Sequence, residues 1–467
     1  MTPIPLKSML GRAPAAAIGA AALLMMTLRL AAPAAAQVQV PAELTVGEAI
    51  EIALRNNPGH MQVLNDVDAA DAQVRASYGS FLPNVVLSST FNSTYAEAES
   101  SFDEFGRPLA EPEPVITKRS QAGQSISLGS ITLFDGGAQF RNVSVAKSQR
   151  KAAEAAIANG ANTLRANVTR AYYQVVNGES RIELERELLE FARDRLELVQ
   201  RQFEIAVVGQ SDLLGAELEV ARAEQAVADA ESDVRAQRLN LLQLLGVGGE
   251  PPFTLVSDLP PIIDPAALSA DALVARAVET HPAVLQSAAT AAVAESQLSN
   301  QRGSRLPTIS LNLPSYNWGA QESGLWDAWG RFGAPNNSFS FGVTASLPIF
   351  TGFSKSADIA RNLEAAEDAR QQTRQARLAV EKDLRDALIE LERAHRSLLL
   401  AEQQATISRQ RLELTQEEYQ TGAIPFTTLQ QIIESNSQSQ RFLINARFNF
   451  LSARVSLEER VGGPLQS

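Results

Sequence analysis

The chain has 467 residues, 45% of them hydrophobic, with a formal net charge of −12 and no cysteine. That composition fits an ordered protein and excludes a disulfide scaffold, a thiolate metal site and a lipidated N-terminal cysteine. A net acidic chain without a dense basic tract also argues against a nucleic-acid partner.

At the N-terminus, Lys7 and Arg12 precede an apolar run over residues 13–28. Arg29 and Pro33 end the run before it reaches the about 20 residues a membrane span needs, and Ala34-Ala35-Ala36-Gln37 follows. A basic start, an apolar middle and a small-x-small site predict a signal peptide over 1–36, a mature chain from near Gln37, and export.

The remainder reads as one unit written twice, a first repeat over 37–262 and a second over 263–467. Asn57-Pro58 and Leu82-Pro83 return as His281-Pro282 and Leu306-Pro307, each 224 positions later. From Phe134-Asp135-Gly136 and Phe350-Thr351-Gly352 onward the shift is 216, and it holds through Leu245-Gly246 and Val461-Gly462. The change in shift places a length difference between Pro83 and Phe134. There residues 96–119 are acidic and rich in proline and glycine, which predicts a loop. Its counterpart, 317–337, carries Trp318, Trp326 and Trp329 and reads as an exposed packed loop or a ligand-binding loop.

Alternating segments flank each loop and predict strands over 84–95, 120–134, 308–316 and 339–350. Val85, Leu87 and Phe91 share one face of the first; Phe341, Val343 and Leu347 share one face of the last. A membrane barrel needs at least about eight strands, so four cannot close one, whereas three chains would supply twelve. A soluble β-sandwich fragment would account for the strands but not for the helical regions after them.

Long helical hairpins are predicted over 138–246 and 354–462. Leu164, Val168, Ala171, Val175, Gly178, Ile182, Glu185, Leu189, Ala192, Leu196, Val199 and Phe203 recur at spacings of four and three, and the same register reappears 216 residues on through Val380, Leu384, Ala387, Leu391 and Leu398. A 3.5-residue period is a coiled-coil seam. A second stripe through Leu184, Leu188, Phe191, Leu198 and Ile205 gives the helix a second neighbour, as in a ring; small seam residues such as Ala192 and Ala401 would also suit an ordinary two-helix coiled coil. About 70 residues of helix span about 100 Å. The return helices are half as long, and shorter helices from Pro58 and Pro282 are placed to stack end to end with them.

No catalytic chemistry is legible. His60, His281 and His395 lack a second ligand at metal spacing, and Gly246, Gly248 and Gly249 follow a helix, where they end it. The expectation is a non-enzyme with no cofactor, driven by a partner.

The opening Leu44-Thr45-Val46-Gly47-Glu48-Ala49, the Asn57-Pro58 pair, a Leu-Pro before each first strand and Phe134-Asp135-Gly136 after a return strand, in this order and largely twice, resemble the TolC family of outer-membrane efflux and secretion channels. The resemblance covers nearly all of the mature chain. It implies a membrane α+β fold: a trimeric 12-stranded β-barrel, four strands per chain, continuous with a long periplasmic α-helical barrel. It also implies the outer membrane of a Gram-negative bacterium, a homotrimer in outer-membrane lipid, and contacts with a periplasmic adaptor (membrane fusion) protein and an inner-membrane transporter. The function implied is a passive conduit for a tripartite efflux pump or a type I secretion system. The alternative is a periplasmic coiled-coil scaffold or adaptor that never enters the membrane.

The same resemblance assigns adaptor contacts to two tip turns, at Ala206, Val207, Gly209 and Ser211 and at Gly422, Ala423 and Thr427. Ala206 stands where the family has glycine. It assigns a periplasmic entrance gate to Asp212 and Tyr419, joined by a hydrogen bond. Ile424 occupies the place of an assisting arginine, and Thr428 and Gln431 the places of a pore-narrowing ring of aspartates. Read without the family, Asp212, Ser211 and Thr427 are helix caps, Gly422 a helix-ending glycine and Tyr419 a seam residue.

Overall fold

The computed structural model describes residues 40–102, 105, 107–257, 259–322, 338–421 and 423–463. The signal-peptide expectation for 1–36, the start near Gln37, Trp326, Trp329 and Gly422 lie outside them.

In chain order the first half holds β1 (Glu43–Leu44), α1 (Val46–Asn56), α2 (Pro58–Gly79), β2 (Val86–Phe102), β3 (Pro108–Ser127), β4 (Ser130–Phe134), α3 (Ala138–Glu204) and α4 (Gln210–Leu245). The second holds β5 (Thr254–Leu255), a 3-10 turn at Pro265–Ala267, α5 (Ala270–Thr280), α6 (Pro282–Gly303), β6 (Thr308–Glu322), β7 (Ser338–Ser346), α7 (Ser354–Gln420) and α8 (Phe426–Val461). Equivalent helices match in length: 11 residues for α1 and α5, 22 for α2 and α6, 67 for α3 and α7, 36 for α4 and α8.

Local chemistry sets these boundaries. Thr45 and Glu48 close a capping box on α1, with the Thr45 N–H donating to Glu48 Oε2 at 2.9 Å. That bond holds the Glu48 carboxyl below its usual range. Asn57 ends α1 and caps α2: its Oδ1 accepts from His60 N at 3.1 Å, while its Nδ2 donates to Leu244 O at the end of α4, 2.9 Å away. The short helix is thereby stapled end to end with the return helix. Gly246 follows in the left-handed region, where a Cβ would lie 2.4 Å from Asn56 O, so only glycine fits. His281 builds the same joint between α8 and α6. Its Nδ1 accepts from Ala283 N at 3.1 Å and its Nε2 lies 3.3 Å from Glu459 O.

The sheet departs from expectation at its outer end. β2 pairs antiparallel with β3 from Val86↔Ser127 out to Phe102↔Pro108, so most of 96–119 is strand rather than loop. Prolines prompted the loop reading. Pro112 and Pro114 occupy alternate positions of β3, and before Ser120 β3 has a described neighbour on one side only. Strand edges tolerate proline in this way. Residues 317–322 likewise belong to β6 and pair with β3.

β3 and β4 both pair with β6 and are one return strand interrupted at Leu128 and Gly129. The antiparallel order is therefore β2, β3 with β4, β6, β7, which is four strands in effect. Among the described residues β2 pairs only with β3 and β7 only with β6, leaving both outer edges open.

The core lies at the waist of the helical shaft, where α1, α5 and the parallel pair β1·β5 wrap the long helices around Leu44, Val168, Tyr172, Leu241, Leu384 and Phe450. Tyr172 Oη lies 2.8 Å from Leu44 O and 2.7 Å from Val256 O, one proton serving the two carbonyls that flank the β1·β5 ladder. Burial pushes its pKa up to about 12.

Candidate functional site: the shaft tip and the open flanks

At the first tip α3 ends in a Schellman turn. Ala206 N donates to Phe203 O and Val207 N to Gln202 O, both at 2.9 Å. Ala206 takes φ +59°, a left-handed conformation that explains why glycine would suit this place. α4 then starts from Gly209, whose N–H donates to Asp212 Oδ2 at 3.2 Å. At the second tip Ala423 N donates to Glu418 O at 2.9 Å, the same six-residue closure 216 positions on, and α8 starts after Pro425. Val207, Gly209, Ser211, Ala423 and Thr427 are exposed, Asp212 and Thr428 half-buried, and Gln431 exposed.

Tyr419 ties the two hairpins together here. Its Oη donates to Gln202 Oε1 at 3.3 Å, and its ring packs with Leu196, Val208 and Leu213 around Val199 and Ala216. Asp212 and Tyr419 thus both belong to the tip, the first as a cap on α4 and the second bridging α7 to α3. Sequence reasoning had not singled out Gln202. It also missed Arg195, a buried residue facing Glu219 at 3.9 Å, where burial lowers the guanidinium pKa.

Farther up the shaft Glu185, only 2% exposed, accepts from Arg441 through both oxygens, Nε at 2.7 Å and Nη2 at 2.8 Å. A charged residue in an apolar seam was the signal available in the sequence. Its partner, 256 positions away, was not. On the tip side of this pair a cleft of about 710 Å³ opens between α3, α4 and α8.

The flanks are apolar. On α7, Ile389, Leu400, Ile407 and Leu414 are exposed and fall within about 40° of one helix face. Ile389 is 62% exposed, although its first-repeat counterpart Tyr173 is 7% exposed. α4, at the other flank, exposes Leu214 and Leu218. Where shaft meets sheet, Phe140, Ile349, Phe350 and Phe353 are exposed, the rings of Phe350 and Phe353 meeting edge to face at 5.6 Å. Among the described residues no group of histidines and carboxylates is placed to hold a metal, and no helix is long and apolar enough to cross a membrane.

The family model described as outer membrane efflux protein matches residues 49–247 and 273–463. Protein CyaE of Bordetella pertussis is 26% identical over 321 residues, 67% of this chain and 62% of that protein; this chain therefore spans less than two thirds of that relative. Outer membrane protein TolC of Vibrio cholerae is 22% identical over 418 residues, 88% and 89% of the two chains. Among solved structures, CusC superposes with a TM-score of 0.70 at 18% identity, covering 90% of this chain and 92% of that one. The CmeC outer membrane channel of Campylobacter jejuni gives 0.69 at 16%, covering 90% and 85%.

Proposed function

The chain belongs to the outer membrane efflux protein family, and from that premise we propose that it is one of three identical subunits of a passive outer-membrane channel, part of a tripartite efflux pump or a type I secretion system. The observation that carries this reading is that both layers end in open flanks. β2 and β7 lack an outer partner among the described residues, and α4 and α7 present apolar surface beside them in the shaft. Three copies joined flank to flank give twelve strands, enough to close a barrel with no edge left in lipid.

In this assembly the repeats 37–262 and 263–467 alternate around a pseudo-sixfold ring, and 1–36 is removed on export. The exposed aromatic belt at Phe140, Phe350 and Phe353 meets the periplasmic lipid headgroups. A water-soluble scaffold, the rival reading, would leave that belt in solvent, where contiguous apolar surface is unfavourable. The tip faces a periplasmic adaptor and an inner-membrane transporter, which supplies the energy. Ala206, Val207, Gly209, Ser211, Gly422, Ala423 and Thr427 make the contacts, and Asp212, Tyr419, Thr428 and Gln431 line the entrance. With Thr428 and Gln431 neutral, that entrance lacks a carboxylate ring and discriminates weakly for cations.

Crosslinking in isolated outer membranes tests the assembly: the ladder should stop at three subunits. A predominantly monomeric population in that membrane would overturn the reading.

A further inference from the structure

Inside one chain α3 packs against α8. Moved forward by one repeat, α3 becomes α7 and α8 becomes the next subunit's α4. The ring of the proposed channel therefore has two kinds of seam of common design, three within chains and three between them, and the contrast between the two kinds rests on that reading. The seam within a chain carries polar ties. Asn162 Nδ2 donates to Glu459 O at 2.9 Å, Arg170 pairs with Glu459, and Glu185 receives the Arg441 fork. At the equivalent places α7 offers Leu378, Asp386 and Ala401, and α4 offers Gln243 and Gln225. None of these can rebuild an ion pair across the seam. Asp386 instead bonds Lys382 at 2.6 Å and Gln225 bonds Asp229 at 2.7 Å, each within its own helix.

Glu185 and Arg441 also mark a boundary along the shaft. The cleft is lined on α3 by Glu185, Leu188 and Ala192 and on α8 by Gln430, Glu434 and Arg441, so it begins at the pair and runs toward the tip. From Glu185 to the end of α3 is a length of about 28 Å. A bidentate pair with one partner almost fully buried is a directional tie that tolerates little sliding, because a displaced fork leaves a desolvated charge.

We propose that Glu185 and Arg441 are the fulcrum of the entrance: they fix α8 to α3 at one level of the shaft and confine the parting of these helices to the segment below. They are positioning residues, acting on gate groups about three to five turns away. Glu185 accepts from the guanidinium, and that bond holds the Arg441 pKa above its ordinary value.

The test exchanges the pair for the residues of the other seam, Glu185→Ala with Arg441→Gln, removing both charges so that none is left buried alone. Purified trimers are read in planar bilayers for single-channel open probability, with trimer yield from the same membranes as the control. Open probability should rise roughly tenfold over the parent while trimer yield is unchanged. Arg441→Lys, which keeps the charge but loses the fork, should fall between. Equal open probability in parent and double variant overturns the fulcrum, and so does a double variant that loses the trimer, since the pair would then serve assembly. A parent that neither trimerises nor conducts sinks the channel reading instead, independently of either variant.

Discussion

Acidification should weaken one of the two end-to-end helix joints and spare the other. His281 caps α6 through an unprotonated Nδ1, and its Nε2 faces Glu459 O, an arrangement available only to the neutral ring. Burial is the main cause that lowers its pKa; Arg460 on α8 acts the same way, while the Glu459 carbonyl and side chain and Asp383 on α7 oppose it. With a folded pKa below the ordinary 6.5, this joint contributes its full stability above about pH 6.5 and loses it as the pH falls through the lower folded value. Protonation turns the cap's acceptor into a donor facing the Ala283 N–H, which forfeits an N-cap worth about 1 to 2 kcal/mol. Asn57 makes the equivalent joint with an amide that does not titrate. His281→Asn should therefore leave stability at pH 7.5 nearly unchanged and flatten its decline toward pH 5. Thermal unfolding of detergent-solubilised protein across that range measures both. If the variant declines as steeply as the parent, the acid sensitivity arises elsewhere and the cap argument fails.

Two further outcomes are expected. Tyr172→Phe removes the one proton shared by Leu44 O and Val256 O and should cost about 1 to 3 kcal/mol, seen as earlier protease cleavage near the waist with the sheet intact; an unchanged cleavage rate would mean that water replaces the hydroxyl. Asp212→Ala combined with Tyr419→Phe removes the α4 cap and the bridge to Gln202, and should raise single-channel conductance at constant trimer yield; conductance equal to the parent's would assign closure to other contacts.

The shaft was legible because its determinants are local. Pro58 and Gly246 announce helix ends within a few residues, and the heptad from Leu164 to Val199 states which face is buried. The strands were legible in position but not in length, since Pro112 and Pro114 carry the same local signal in an edge strand as in a loop. Long-range pairing has no such signature. Nothing near Glu185 points to Arg441, and nothing near Tyr172 points to the carbonyls of Leu44 and Val256. At the tip the residue types were readable, but their engagement was not: Gln202 receives Tyr419 because two hairpins meet there, a fact of packing rather than of spacing.

The matched lengths of the long helices also constrain how this sequence can change. One residue added to α3 alone would rotate everything beyond it by about 100° and advance it by about 1.5 Å, bringing polar faces into the seams and setting neighbouring tips at different heights. A tolerated insertion must then come in whole heptads and in both helices of a hairpin, α3 and α4 together, with α7 and α8 following suit. The eight-residue difference between the repeats falls instead in the β2 to β3 hairpin, which can grow without moving the helices. The shaft behaves as a pair of rulers cut to one length, and the outer end of the sheet is where such a lineage is free to vary.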